Sequence, residues 1–187
     1  MKEQTEFLER EYKKLKEKGY TWTIRSLLGP SKPHVNVEGK ECIMLASNNY
    51  LNLANHPKLR EAAIEAIKKY GAGAGSDWSI AGNMDIHIDL HKKIAEFKNT
   101  ESAVTFQTGF AVNSGVIPQL AGKGDILISD ELNHGSIIDG VRLTKADRAV
   151  FAHSDMGELE KVLKEKSKKD YRRAIVITDG VFSMDGD

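Results

Sequence analysis

From residue 2 to 18 the chain mixes Glu and Lys with an apolar stripe of Phe7, Leu8, Tyr12 and Leu15, and Gly19 follows as a stop. The spacing predicts an amphipathic helix whose interspersed charges face solvent. Past the turn residues Gly29-Pro30 and Lys32-Pro33, segments 34–37 and 41–45 flank Glu38-Gly39 and predict a short hairpin. The pattern then becomes a regular alternation. Segment 57–70 starts with Pro in its first turn and carries Leu59, Ala63 and Ile67 at helical spacing, and 85–97 repeats it with Ile86, Leu90, Ile94 and Phe97. Gly71, Gly73 and Gly75 make a flexible break between them. Short apolar runs at 103–106, 126–128, 149–151 and 174–177 lie between helix-length segments and predict buried parallel strands. The expected fold class is α/β, a mostly parallel sheet flanked by helices on both faces. An N-terminal helix and ribbon (1–45) would precede the sheet-bearing part (46–187).

Composition narrows the function. The 187 residues suffice for one domain or for part of a larger one. Twenty-seven basic side chains balance 27 acidic ones, which argues against a general nucleic-acid or membrane-surface binder. The single Cys42 has no internal disulfide partner, offers no thiolate metal cluster, and is expected to pack as a small hydrophobe in a strand. No run approaches the roughly 18 apolar residues of a membrane helix, and the start Met1-Lys2-Glu3-Gln4 lacks the apolar core of a signal peptide. A cytoplasmic location is the expectation.

In an open parallel sheet, ligands sit beyond the carboxyl ends of the strands. There the chain places Thr108-Gly109-Phe110, then Asp130 to His134, then Asp179-Gly180. A strand turning at Gly109 into a helix leaves backbone N–H groups free for an anion, although tight strand-to-helix turns of this kind are common without one. The Gly-rich run lacks a third Gly of the dinucleotide pattern, with Ser76 standing there, and no Walker-type Lys follows. His87 and His91 have metal-ligand spacing on a helix, but Ile88 occupies the place of the catalytic Glu of a zinc protease, and no metal site is expected. His134, beside Asn133 and Ser136, suits either a working imidazole or a structural one. Asp130 and Asp179 fit an acid–base pair or, as strand-end residues usually do, hydrogen-bond caps. The cation-rich stretch 161–173 reads as a solvated helix face. No Gly-x-Ser-x-Gly elbow supports a hydrolase.

Taken together, the phrases Ala46-Ser47-Asn48-Asn49-Tyr50-Leu51, the run 71–75, Ile80-Ala81-Gly82 with Asp85 and His87, Thr108-Gly109-Phe110-Ala111 with Asn113, Ser129 to Gly140, and Thr178 to Asp187 resemble, in order, the α-oxoamine synthase family of pyridoxal-phosphate enzymes. The resemblance implies the fold-type I (aspartate aminotransferase-like) architecture, incomplete in this chain, and a homodimer with pyridoxal 5'-phosphate at the subunit interface. It implies that Thr108, Gly109 and Phe110 hold the cofactor phosphate, that the catalytic His134 stacks on the pyridine ring, that Ser183 bonds the phenolic oxygen, and that Asn49 lines the substrate side. The implied activity is an acyltransferase reaction in which a cofactor-stabilised carbanion of a small amino acid attacks an acyl-CoA. Within the family, Leu132 to Leu143 is most similar to the glycine C-acetyltransferase branch, which joins glycine to acetyl-CoA; the 8-amino-7-oxononanoate synthase branch stands second, and a non-catalytic or split fragment is a further alternative. The family's lysine and its pyridine-facing aspartate are expected downstream of residue 187, so this chain alone is expected to be inactive. Two departures stand out. Asp77-Trp78-Ser79 occupies the place of a usual Arg, and Asn52 that of a usual Gly, a position where Asn tolerates left-handed backbone.

Overall fold

The computed structural model describes residues 2–187; Met1, the first residue of the predicted N-terminal segment, lies outside the described residues. The chain divides into two compact units, Met1–Met84 and Asp85–Asp187.

The first unit holds helix α1 (Lys2–Glu17), an antiparallel ribbon of β1 (Leu27–Leu28), β2 (His34–Val37) and β3 (Lys40–Ile43), helix α2 (Pro57–Tyr70) and a π-helical turn at Trp78–Gly82. The hairpin forms because Glu38 and Gly39 both take positive φ, 53° and 89°, which is what the two central residues of a tight hairpin turn require, and Val37 pairs with Lys40 across it. Asn36 Oδ1 accepts from Gly39 N at 2.8 Å and fixes the register. Asn52 takes φ 51°, so the substitution noted in the sequence is met by the backbone it was expected to tolerate. Cys42 is exposed on β3, against the expectation of a packed thiol, because none of the four β3 residues is buried.

The second unit carries the sheet. Helices α3 (Asp85–Lys98) and α4 (Gly109–Leu120) precede strand β4 (Asp125–Asp130), helix α5 (Gly135–Arg142), β5 (Asp147–Phe151), α6 (Met156–Lys166) and β6 (Arg173–Ile177). The strands are parallel in the order β5-β4-β6, and β4 is buried along its whole length. Its alternation divides the core. Leu127 faces Ile117 of α4, its C-cap Ala121, and Ile137 and Val141 of α5, whereas Ile126 and Ile128 face Phe151 and, on α6, Leu159 and Val162. Helices therefore cover both faces, as predicted. Two sequence expectations are corrected. Residues 103–106 form no strand; Val104 and Phe106 are exposed, and among the described residues no strand pairs with them to take up their backbone hydrogen bonds. The stretch 161–173 is not one helix: α6 stops at Lys166 with Ser167 as C-cap, and Arg173 opens β6.

The chain steps from β4 to β5 on one side and then crosses back over β4 to β6 on the other, so the strand order switches between β4 and β6. The carboxyl ends of β4 and β6 therefore form a topological switch point, where a crevice opens in sheets of this kind.

Candidate functional site

A pocket of about 280 Å³ lies at that switch point, lined by Leu132, Asn133, His134 and Gly135 on one side and by Asp179 and the turn Val181 to Asp185 on the other. A buried amide joins its walls. Asn133 donates from Nδ2 to Ser129 Oγ and to the Ile177 carbonyl, each at 2.8 Å, and its Oδ1 accepts from Asp179 N at 2.8 Å. Asp179 in turn accepts from His134 N at 2.6 Å, so the loop after β4 and the loop after β6 are tied twice.

His134 is the N-cap of α5, and its ring is held from behind. Ser136 N donates to Nδ1 at 3.2 Å, and Ser136 Oγ lies 2.7 Å from the same nitrogen. With Nδ1 accepting, the ring proton of the neutral imidazole resides on Nε2. Ser136 is buried, and its hydroxyl also accepts from Asn113 Nδ2 on α4 at 2.9 Å. A chain from α4 through Ser136 thus sets the ring orientation. Close packing keeps it short: a Cβ on Gly140 would stand 2.5 Å from the Asn113 carbonyl oxygen and 2.9 Å from Ile117 Cδ1, so only Gly permits this approach of α5 to α4.

At the start of α4, Thr108 is the N-cap and its Oγ1 accepts from Ala111 N at 3.0 Å. The Gly109 and Phe110 N–H groups, in the first turn, have no hydrogen-bond acceptor among the described residues and lie at the positive end of the helix. Asn113 stands one turn into α4 and Ser136 in the first turn of α5, so the two helix starts are neighbours.

Of the residues expected at the strand ends, His134 and Asp179 line this pocket together with Asn133, and Ser183, named through the family resemblance, lines it with them. Thr108, Gly109 and Phe110 begin the helix that supports it. Asn49 belongs to the other unit, where its Oδ1 accepts from Ala54 N at 3.0 Å and closes the 49–54 turn. Asp130 and Asp179 both serve as hydrogen-bond acceptors. Burial pushes the Asp130 carboxyl up, but the backbone N–H groups of Ser154 and Leu132 and the His153 ring outweigh it and hold it below the usual range. His91 Nε2 accepts from Thr105 N at 3.3 Å, which pins the 103–106 segment, and no group of three metal-ligating side chains occurs among the described residues. His153, which the sequence reading passed over, lies between Asp130 and Asp187, partners distant in sequence that no local spacing signals.

The family model for aminotransferase class I and II matches residues 40–187. An 8-amino-7-oxononanoate synthase from Treponema denticola is 58% identical over 97% of this chain and 46% of its own length, and one from Thermoanaerobacter pseudethanolicus is 55% identical over the same shares. Among solved structures, serine palmitoyltransferase from S. paucimobilis with a bound PLP–myriocin aldimine superposes with a TM-score of 0.86 at 30% identity, covering 99% of this chain and 48% of that one. The chain spans about half the length of the curated relatives it matches.

Proposed function

From the premise that this chain belongs to the class I and II aminotransferase family, as an α-oxoamine synthase-like member with the fold-type I architecture, we propose that it supplies the cofactor pocket of an 8-amino-7-oxononanoate synthase. The relatives support this branch over the glycine and acetyl-CoA reading that the sequence alone had put first. The product's name gives the chemistry: a nine-carbon acid with a ketone next to an amine-bearing carbon that ends in a methyl group. Its amine end derives from alanine with loss of carbon dioxide, and the rest from a seven-carbon acyl-CoA with a free terminal carboxylate. The bound pyridoxal phosphate supplies an electron sink that makes the α carbon of the amino acid nucleophilic.

The chain's own residues fit that group. The unpartnered N–H groups of Gly109 and Phe110, with Thr108 capping the same turn, hold a phosphate. The His134 ring, fixed through Ser136, offers its face to an aromatic ring, and Ser183 offers a hydroxyl to a phenolic oxygen. Asp179 keeps His134 and the Ser183 turn on opposite walls of one crevice. Asn49 carries the substrate-side role in this reading, and the assembly is a homodimer whose second subunit covers the exposed Phe110. The single observation that carries the proposal is that His134 and Ser183, 49 positions apart in sequence, line one pocket at the switch point.

The test uses the protein expressed from its complete coding sequence. Loaded with pyridoxal phosphate, it is expected to release CoA from the seven-carbon dicarboxylic acyl-CoA with alanine at least about tenfold faster than from acetyl-CoA with glycine, since a pocket shaped for the longer chain discriminates by that order. A protein that never takes up pyridoxal phosphate, or that prefers the acetyl and glycine pair, defeats the assignment.

A further inference from the structure

Outside the pocket, at the ends of β4 and β5, the structure holds a group that none of the roles above uses. His153 is only 16% exposed at its side chain and stands between two carboxylates. Its Nδ1 lies 3.1 Å from Asp130 Oδ1, and its Nε2 lies 3.1 Å from Asp187 Oδ2. Its ring meets Phe182 edge-on, with centroids 4.3 Å apart at 68°. We propose that His153 is the positioning residue of the Ser183 turn: doubly protonated, it clamps Asp187 and Phe182 to the end of β4 and so fixes where Ser183 stands in the pocket.

The clamp follows from donor counting. A neutral imidazole has one N–H, so between two carboxylates one nitrogen would present a lone pair to an oxygen lone pair; only the imidazolium donates to both. One jaw is rigid. Asp130 is buried at the end of the central strand and is fixed by N–H donation from Leu132 at 2.9 Å and from Ser154 at 3.0 Å. The other jaw is the turn itself. Phe182 N donates to the Asp187 carbonyl at 2.8 Å and Gly186 N donates to the Phe182 carbonyl at 2.7 Å, which closes a loop containing Ser183. Phe182 is buried and Ser183, the next residue, faces the pocket. Holding Phe182 and Asp187 therefore holds Ser183.

Carboxylates are the charged groups bonded to this corner, and Arg142 and Arg148 line a neighbouring pocket with Asp130 and Glu131. Asp130 comes from β4; Glu131, just after it, accepts from His153 N at 3.0 Å; Glu158 of α6 accepts from Ala152 N at 2.6 Å; its neighbour Asp155 caps α6; Asp185 and Asp187 come from the turn. Of these, Asp130 and Asp187 favour the charged ring. The Asp130 hydrogen bond raises the His153 pKa above its ordinary value, burial opposes it, and Asp187 adds to the rise. The sign follows directly: the clamp is fully formed below the ordinary imidazole value of about 6.5 and is lost as pH rises through the raised value. The geometry of the clamp stands without any cofactor; its consequence for a bound ring rests on the proposed function.

The experiment uses the protein expressed from its complete coding sequence, in cofactor-free and loaded forms. In the cofactor-free form, amide exchange of segment 180–187, corrected for intrinsic rates, is expected to be slow at neutral pH and to accelerate as pH rises through the His153 titration, while segment 125–130 stays protected. His153→Gln should exchange fast at every pH, and Asp187→Asn should move the step to lower pH. In the loaded form, His153→Gln should weaken cofactor retention about tenfold, a difference of about 1.4 kcal/mol, and remove the pH dependence of its absorption band. Protection that is independent of pH in the parent protein, or unchanged in both variants, overturns the proposal. If the parent protein takes up no cofactor, the functional reading fails while the exchange measurement still decides the clamp.

Discussion

The two ends of the parallel sheet hold their carboxylates by different means. Where the strands begin, permanent cations do it. Arg172 donates to Asp125 from Nε at 2.9 Å and from Nη2 at 2.6 Å, and Lys169 and Tyr171 donate to Asp147 at 2.5 and 2.8 Å. Arg172, aided by Gly122 N–H, holds the Asp125 carboxyl far below the usual range, and Lys169, then Tyr171, lower that of Asp147. Where the strands finish, Asp130 and Asp179 accept from backbone N–H groups, with the His153 imidazole as a side-chain donor to Asp130. A guanidinium neutralises its carboxylate at every accessible pH and leaves nothing further to bind. Backbone N–H groups and a histidine instead orient loops and stay responsive near neutral pH. One end is a set of staples; the other is a site.

The largest predicted effect breaks the second end at its support. Gly140→Ala places a methyl within 2.5 Å of the Asn113 carbonyl oxygen, and backbone cannot yield as a flexible side chain does. The expected cost is about 3 kcal/mol in denaturant unfolding, at the upper range for overpacking. It should be accompanied by loss of cofactor binding in the surviving folded protein, because α4 and α5 must separate and the Asn113–Ser136–His134 chain opens. A variant of parental stability would show that the helices have room, and the close approach would no longer explain the fixed imidazole.

Asn133→Ala is expected to cost less, about 2 kcal/mol, since it leaves Asp179 N and the Ile177 carbonyl without their buried partner. It sharpens the comparison by its location. Exchange should rise in 178–185 and 132–136 while the strand beginnings, held by Arg172 and Lys169, keep their protection. Uniform loosening of the whole sheet would mean that the two ends are not independent.

How much of this was legible beforehand follows the same division. Helices and strands whose apolar spacing serves one unit's own core, such as β4 with Leu127 on one face and Ile126 and Ile128 on the other, were readable to within a few residues. Segment 103–106 was misread because a strand needs a neighbour, and apolar spacing does not say whether one exists. Cys42 was misread for a related reason: an apolar flank does not guarantee that anything packs on it. At the site, position near strand ends pointed to His134 and Asp179, because the carboxyl edge of a parallel sheet is where loops carry chemistry, whereas Ser183 was named only through the family resemblance. His153 was not legible. Its partners are 23 residues before and 34 residues after it, and only the fold reveals that both carboxylates address the same ring.

The smallest effect tests the staples themselves. Lys169→Ala removes a close ion pair, yet the side chains of both partners are well exposed, and such pairs bring a Coulomb gain that water and the entropy of a long side chain largely offset. Tyr171 still donates to Asp147, so the carboxylate is not left bare. The thermal midpoint should therefore stay within measurement error of the parent at physiological salt, with cofactor uptake unchanged. A clear loss of stability that added salt abolishes would show that the strand beginnings depend on screened charge, and the opposition between a pH-indifferent end and a pH-responsive end would have to be redrawn as one between salt-sensitive and proton-sensitive ends.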